Sequence, residues 1–570
     1  MGSLLLGLLL VLSSACGDRG PSGDSTATNT SSRIASPAAS EPPPEGAPKL
    51  VLLLILDQCR GDLLPRYQEY LVSGLGRLLN ESVSFTEAHH DHAITSTAPG
   101  HATLTSGTHP RRHGIVGNWW VDRETGESSA AVRDQGEIDG FTFTRSPRRL
   151  RVPTLGTWLK TRWPESRVWT VSSKDRGAIF SAGLDADGAL WYDDGSGQFV
   201  GTPYYPAFRG TEPDWLEDAN RASIVHKMFG EPWNLSEVLQ DPETQRRLGL
   251  VNSSRYVFVD DFPHPLGGAS LSAGGSFYEA IYVSPFADQA VGEIAQQIVV
   301  QEELGQDAWP DLLVVSFSSI DTVGHTWGPD SLESADTVLR LDQTVGDLLN
   351  VIDEKVGLEN VLISLSADHG VLDLPELLTE ESPPGLRFDA EEIGCFQRAQ
   401  QELEARFPGG PWTLGGQTYL DREGIEAAGY DLSSVTELLR QHLETCPGVE
   451  RIWHRDELLD EPPPGVPGDE EPNRLYAHSF DPQRSPDLLV QIQRNALSLR
   501  SIGTNHGTPY RYDTHVPWLI RLHGKGPQGK IVDVPVATVD VAPTLADLLG
   551  IEPTGEIDGV SRRNLAGIGY

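Results

Sequence analysis

Asp57, Asp321 and Asp368, with His325, His369 and His506, stand where they could share metal ions. Asp321-Thr-Val-Gly-His325 sets a carboxylate and an imidazole four residues apart, which one helical turn or a tight loop brings onto one ion. Asp368-His369-Gly370 places the same two ligand types side by side, with a glycine that permits a sharp turn. Asp57 adds a third carboxylate, and His506 in Thr504-Asn505-His506-Gly507 a third imidazole. This mixture suits Zn2+ and exceeds the needs of one ion. It suits two ions that clamp the attacking and leaving oxygens of a phosphoryl transfer. Taken singly each residue is a weak signal, since an Asp after a strand is commonly a turn or cap residue.

A second stretch offers a nucleophile. Thr95-Ser96-Thr97-Ala98-Pro99-Gly100-His101-Ala102-Thr103-Leu104-Thr105-Ser106-Gly107 reads as a helix whose first turn holds Thr97 and Pro99 and whose end is Gly107. A hydroxyl at a helix N-terminus faces unpaired N–H groups and the positive end of the dipole, where a phosphate would also sit. A threonine hydroxyl is a poor nucleophile at neutral pH and needs a metal to lower its pKa. The plain alternative is an N-cap threonine without chemistry. Lys174-Asp175-Arg176 completes the set. On an extended stretch Lys174 and Arg176 would point to one side, and two adjacent cations could hold the non-bridging oxygens of a phosphoryl group. On composition alone, a surface charge pair is the better account of them.

The elements that must position these residues show as apolar runs. Leu50 to Leu56 ends at Asp57, Leu312 to Phe317 leads to Asp321, and Val361 to Leu365 leads to Asp368-His369. Runs of this kind are what parallel strands buried on both faces require. Helical candidates lie between them, at Ser73 to Asn80, Ala287 to Glu302, Ser334 to Glu354 and Val539 to Leu549. The alternation predicts an α/β fold, a three-layer α/β/α sandwich with a mostly parallel central sheet. Ligands of such sheets sit beyond the carboxyl ends of the strands, so strands that each deliver an Asp there predict a site. Two stretches interrupt the alternation: about 180–285, rich in Trp, Tyr, Gly and Pro, and about 372–500, with turns such as Glu461-Pro462-Pro463-Pro464-Gly465. Both are expected to be inserted cap segments within one catalytic domain, 49–570.

Composition narrows the partners. Against 44 Lys and Arg stand 81 Asp and Glu, a net charge of −37, which disfavours nucleic acid and anionic membranes. An anionic substrate then needs a local inversion of the field, by metal ions or clustered basic residues. Residues 1–16 read as an export signal: the apolar run from Leu4 to Leu12 is too short to span a bilayer and ends in Ser13-Ser14-Ala15-Cys16. Small residues before Cys16 suggest lipidation there, although no Lys or Arg precedes the run. Residues 17–48, rich in Gly, Ser, Thr, Pro and Ala, read as a flexible linker. The expectation is an exported protein, periplasmic or at the cell surface, touching membrane only through a lipid anchor at Cys16. An oxidising compartment permits one disulfide, and Cys395–Cys446 is the expected pair. Cys59, beside Asp57, is expected to be structural.

Together the segments VLLLILDQCRGD, TSTAPGHATLTSGTHPRRHGIVGNWW, SKDRGAI, SFSSIDTVGHTWGP, SADHG, NHGTPYRYDTHVP and VATVDVAPTLADLLGI, spread over about residues 49–560, resemble the alkaline phosphatase superfamily. The nearest resemblance is to its PafA-type branch of threonine-nucleophile alkaline phosphatases. That resemblance implies Thr97 as nucleophile, one zinc held by Asp57, Thr97, Asp368 and His369, and a second by Asp321, His325 and His506. Asn118, in Gly117-Asn118-Trp119, matches the asparagine that contacts a phosphoryl oxygen. Lys174 and Arg176 match a pair this branch adds for the monoester dianion and diesterase relatives generally lack. The implied activity is a two-zinc alkaline phosphatase that hydrolyses small-molecule phosphate monoesters through a covalent phosphothreonine. A monomer is expected.

Relatives with other activities fit less well. A sulfatase needs a residue convertible to formylglycine, which Thr97 is not, and the related mutases prefer manganese and a cytosolic setting. His515 competes with His506 for the third imidazole, and the glycine after His506 favours His506. His89, His90 and His92 are read as structural neighbours of the nucleophile loop. Two further readings stay open. One is a phosphodiesterase or nucleotide pyrophosphatase on the same site, with Trp191, Tyr192, Tyr204 and Tyr205 stacking a base. The other is a surface-tethered binding protein that keeps the metals without turnover.

Overall fold

A computed structural model describes residues 41–252, 261–266, 273–388, 394–411, 418–498, 503–522 and 524–569. The export signal, Cys16 and most of the expected linker lie outside the described residues.

A ten-stranded sheet forms the centre. Its strands are β1 (Leu50–Leu56), β2 (Val83–His89), β3 (Val168–Ser172), β4 (Gly188–Asp193), β5 (Gln198–Val200), β6 (Asp311–Phe317), β7 (Val361–Ser366), β8 (His515–Leu522), β9 (Ile531–Val532) and β10 (Val536–Ala537). They lie in the order β9-β2-β8-β7-β1-β6-β3-β4-β5, with β10 also paired to β2. β1 runs parallel to both β6 and β7, with Leu56 opposite Phe317 and Ile55 opposite Ser366. β3 and β4 continue in parallel beyond β6. β8 enters antiparallel between β7 and β2, so the sheet is mixed though mostly parallel.

Every residue of β1, β6 and β7 is buried, which requires cover on both faces. Helices α1 (Gly74–Glu81), α2 (Thr97–Ser106), α3 (Asp175–Ala182), α4 (Pro285–Gln301), α5 (Ser319–Trp327), α6 (Leu332–Lys355) and α7 (Val541–Leu549) provide it. They pack in two groups, α1, α4 and α5 against α6, and α3 and α7 against α2. The apolar runs and helical stretches thus fall within a few residues of the expected elements. Among the described residues no helix is long and apolar enough to cross a membrane.

The stretch at about 180–285 departs from its expected role as a cap. Its strands β4 and β5 extend the central sheet itself. Trp191, Tyr192 and Tyr205 are buried, with Tyr192 edge-on to Phe199 and the Tyr205 hydroxyl donating to the Gly183 carbonyl at 2.9 Å. Tyr204, partly buried, packs edge-on against Tyr205. Aromatic density signals an edge strand being sealed from water as readily as it signals a cap, and the buried rings of Trp191, Tyr192 and Tyr205 offer no stacking face to a base. The stretch after residue 372 does build a core of its own. Leu403, Ile425, Val435, Leu439 and Leu443 cluster around the Cys395–Cys446 disulfide, whose Cα atoms are 5.9 Å apart. A smaller cluster, with Trp453, Leu475 and Phe480, packs on Ala93 and Ile94 in the loop before Thr97.

Candidate metal centre

Strand register assembles the site. With Leu56 opposite Phe317 and Ile55 opposite Ser366, neighbouring strands release the chain at one edge, where Asp57 follows β1 directly and Asp368 follows β7 after Ala367. Asp321 is the third residue of α5, and His325 stands one turn further on, its Nε2 3.1 Å from Asp321 Oδ1. The donors converge in two overlapping groups, Asp57–Asp368–His369 and Asp321–His369–His506, each with ligand atoms within 4.8 Å of one another. His369 Nε2 is 3.4 Å from Asp57 Oδ1 and 3.5 Å from Asp368 Oδ2. Its ring stacks on His506, whose Nε2 is 3.6 Å from Asp321 Oδ1. His515 is elsewhere: its Nε2 donates to the Thr86 carbonyl at 2.7 Å and its ring stacks on His89.

These residues fit cations. Asp57, Asp368 and His369 are fully buried, yet both Asp57 oxygens, Asp368 Oδ2 and His369 Nε2 have no hydrogen-bond partner. Orphaned buried polar atoms are costly. Charge adds to the cost: burial, together with Asp321 and Asp368, pushes the Asp57 carboxyl well above its usual range. Metal ions would remove both penalties. The imidazoles are already turned for them. Nδ1 of His325, His369 and His506 meets the carbonyls of Thr504 at 2.9 Å, Gly370 at 3.0 Å and Thr95 at 2.7 Å. That places the proton on Nδ1 and leaves the Nε2 lone pair for a metal.

Thr97 is the first residue of α2, buried, with Pro99 in the opening turn and Gly107 at φ 66° closing the helix. Gly100 lets this turn rest on Asp368, because a Cβ there would lie 2.2 Å from the Asp368 carbonyl oxygen and 2.7 Å from its Cβ. Asn118 Oδ1 accepts the Ala98 N–H at 2.8 Å, so its NH2 group is the half left to donate. Lys174 and Arg176 do not share a strand face as expected. Lys174 is the N-cap of α3 and Arg176 lies in that helix's first turn, and both arrive at the edge because α3 begins there. Lys174 Nζ is 2.6 Å from Asp57 Oδ2, an ion pair without hydrogen-bond alignment, and 2.5 Å from Asp321 Oδ2. Burial alone would lower the ammonium's pKa, but Asp321 and Asp57 outweigh it and hold it above its ordinary value. Arg176 Nε is buried without a hydrogen-bond partner.

Sequence reading passed over several supporting residues. His101 Nδ1 donates to the Thr97 carbonyl at 2.8 Å and stands 3.1 Å from Asp368 Oδ2, while Nε2 meets Ser316 Oγ at 2.8 Å. Its place one turn after Thr97 was a usable signal. His90, read from the sequence as a structural neighbour of the loop at Thr97, donates from Nε2 at 2.9 Å to the carbonyl of Ala367, the residue before Asp368. Asp288 accepts the N–H groups of Ser318 and Ser319 at 2.7 and 3.1 Å, where α5 starts. Gln58 donates to carboxylates in both donor groups. The last two join distant parts of the chain and leave no local pattern.

Residues 51–517 match the family model described as type I phosphodiesterase / nucleotide pyrophosphatase. The chain is 31% identical over 529 residues to alkaline phosphatase PafA of Elizabethkingia meningoseptica, covering 90% of this chain and 93% of that protein. It is 30% identical over 522 residues to alkaline phosphatase PhoV of Synechococcus elongatus, covering 90% and 92%. The crystal structure of wild-type PafA aligns with a TM-score of 0.79 at 28% identity, over 91% of this chain and 99% of that one. The chain therefore belongs to the type I phosphodiesterase / nucleotide pyrophosphatase family, within the alkaline phosphatase superfamily, and is a phosphoester hydrolase.

Proposed function

We propose that this phosphoester hydrolase is a two-zinc alkaline phosphatase that cleaves phosphate monoesters through a covalent phosphothreonine at Thr97. The observation that carries the reading is Lys174, whose ammonium touches carboxylates of both donor groups, with the unpartnered guanidinium nitrogen of Arg176 buried nearby in sequence. Two cations at that place suit a monoester dianion, which has one charged oxygen more than a diester.

Asp57, Asp368 and His369, together with Thr97, would hold one ion, and Asp321, His325 and His506 the other. Zinc bound there supplies a Lewis acid that lowers the pKa of a hydroxyl and stabilises charge on a departing oxygen. The chain's own residues do the remainder. Thr97 Oγ1 gives up its proton to solvent and attacks phosphorus as the bond to the leaving oxygen breaks. That oxygen takes up a proton and departs as the alcohol. Water then cleaves the phosphothreonine ester, returning the Thr97 hydroxyl and releasing phosphate. The NH2 of Asn118, with Lys174 and Arg176, holds the other phosphoryl oxygens as charge redistributes. The unpaired N–H groups that open α2 favour the same anion.

Relatives named alkaline phosphatase support a monoester substrate. The burial of Trp191, Tyr192 and Tyr205 removes three of the four rings that a nucleotide diesterase reading called on. A purely binding role is disfavoured because no proposed catalytic position is missing. The reading includes export as a monomer, with a lipid anchor at Cys16, and the Cys395–Cys446 disulfide suits the oxidising compartment this entails. The test is kcat/KM for an aryl phosphate monoester against an aryl phosphate diester, on zinc-loaded protein at mildly alkaline pH. A strong preference for the monoester is expected, and a preference for the diester sinks the reading.

A further inference from the structure

Gln58 has no part in the chemistry above, yet it touches both halves of the centre. It is the first residue after Asp57, 2% exposed, and its φ is 67°, in the left-handed region that residues other than glycine seldom occupy. Its backbone N–H donates to Asp368 Oδ1 at 3.2 Å. Its side-chain Nε2 donates to Asp321 Oδ1 at 2.8 Å, the oxygen that also faces His325 Nε2 at 3.1 Å and His506 Nε2 at 3.6 Å. One residue thus ties a ligand of the first donor group to a ligand of the second, through two different donors.

The opposite wall is shaped for this side chain. Gly324, between Asp321 and His325 on α5, faces the amide: a Cβ there would lie 2.1 Å from Gln58 Oε1, and the next nearest atoms are also Gln58's. The glycine in Asp321-Thr-Val-Gly-His325 therefore makes room for the amide as well as spacing two ligands. A backbone conformation that glycine would adopt more readily is held by glutamine, while the residue opposite is kept to a hydrogen atom. Both departures are explained if the amide is needed where it sits.

We propose that Gln58 is a positioning residue that holds a carboxylate of each donor group, Asp321 and Asp368, in fixed relation through its amide and its backbone N–H, so that both groups are set to bind metal. The proposal rests on the two-ion reading of this site. Groups that orient metal ligands typically contribute 10–100-fold in metal affinity or activity, and Gln58 orients a ligand on each side.

The test uses three variants of the full chain: Gln58→Gly, Gly324→Ala and the two combined. Gln58→Gly relaxes the positive φ and keeps the backbone N–H but removes the amide. Gly324→Ala leaves Gln58 in place and displaces its amide from the other side. Zinc affinity is measured by competition with a chromophoric chelator, with kcat, KM and the melting temperature of the metal-free protein alongside. In each single variant one zinc is expected to bind about 10–100-fold more weakly, with kcat falling more than KM changes. Metal-free Gln58→Gly should melt no lower than wild type. The combined variant should match Gln58→Gly, because the atoms the new methyl would meet are gone.

Wild-type affinity for both ions in Gln58→Gly overturns the proposal, as do additive losses in the combined variant. A collapse of the metal-free melting temperature in Gln58→Gly also overturns it, since the role would then be in folding. The two readings fail separately. Wild-type protein that binds fewer than two zinc ions sinks the two-ion reading and the bridge with it, whereas two ions in wild type and no effect in the variants sinks the bridge alone.

Discussion

At the carboxyl edge of the sheet, carboxylates, imidazoles and the Lys174 ammonium crowd together, and several of their polar atoms are left unsatisfied. Between residues 394 and 498 the chain does the reverse, closing Leu403, Ile425, Val435, Leu439 and Leu443 into an apolar cluster pinned by a disulfide. The first region is held in place against its own electrostatics by the strands and helices around it. The second has a hydrophobic centre of its own. Among the contacts that join them, Arg474 pairs with Asp91, Ser479 Oγ accepts the N–H groups of Ala93 and Ile94 at 2.8 and 3.1 Å, and His478 stacks on His109. Asp91 to Ile94 lead into Thr97, so the second region braces the loop before Thr97 while contributing none of the proposed ligands. Reactivity and stability are located in different parts of one chain, which is where conflicts between local rules and function are expected.

Substitutions can break or sharpen that contrast. The largest effect is expected from Thr97→Ala, which should lower kcat/KM on the order of 10⁴-fold or more while circular dichroism and melting stay as in wild type. Substantial residual turnover would remove Thr97 as nucleophile. Replacing Lys174 and Arg176 together by alanine should reduce monoester kcat/KM by about 10²–10³-fold and diester kcat/KM far less. Equal losses on the two substrates would show that the pair does not discriminate between them.

The remaining two act on stability. Replacing Cys395 and Cys446 by serine opens a loop with a sequence separation of 51 residues, worth about 4 kcal/mol in the chain-entropy account. Calorimetry should show the second region melting earlier, with kcat nearly unchanged; a large fall in kcat would mean that the brace and the site are not separable. The smallest effect is expected at Asp288, which is buried where α5 begins. Burial pushes its carboxyl up to about 7, against the hydrogen bonds from Ser319 and Ser318. The folded value lies above the unfolded one, about 3.9, so the native state binds this proton more tightly and stability falls as pH rises through that interval. Asp288→Asn keeps an acceptor and cannot ionise, so its melting temperature should fall less between those pH values than wild type's. Superimposable profiles would discard this role.

What was legible along the chain was what local pattern encodes. Leu50 to Leu56 followed by Asp57 is an apolar strand ending in a charge, and both halves of that statement sit in adjacent residues. The same holds for Asp368-His369 after β7 and for the helix that begins at Thr97. Lys174 and Arg176 were placed on the wrong element because a charge pair carries no periodicity, and only the start of α3 brings them to the edge. The boundary near residue 180 was missed because buried edge strands and caps both attract Trp and Tyr. Gln58 and Asp288 were invisible for a plainer reason: Gln58 is bonded to a residue 263 positions away, and Asp288 to one 30 positions away.

By itself the sequence determined the layered α/β fold, the donor types and the place of Thr97 at a helix start, because each depends on side chains within a turn or a strand of one another. It did not determine how those donors divide into two groups, why His506 is at the centre and His515 is not, or what holds Asp321 to Asp368. Tertiary structure decided these. Register between strands far apart in the chain sets which polar atoms meet in the buried space at the sheet's edge, and no local pattern records that register.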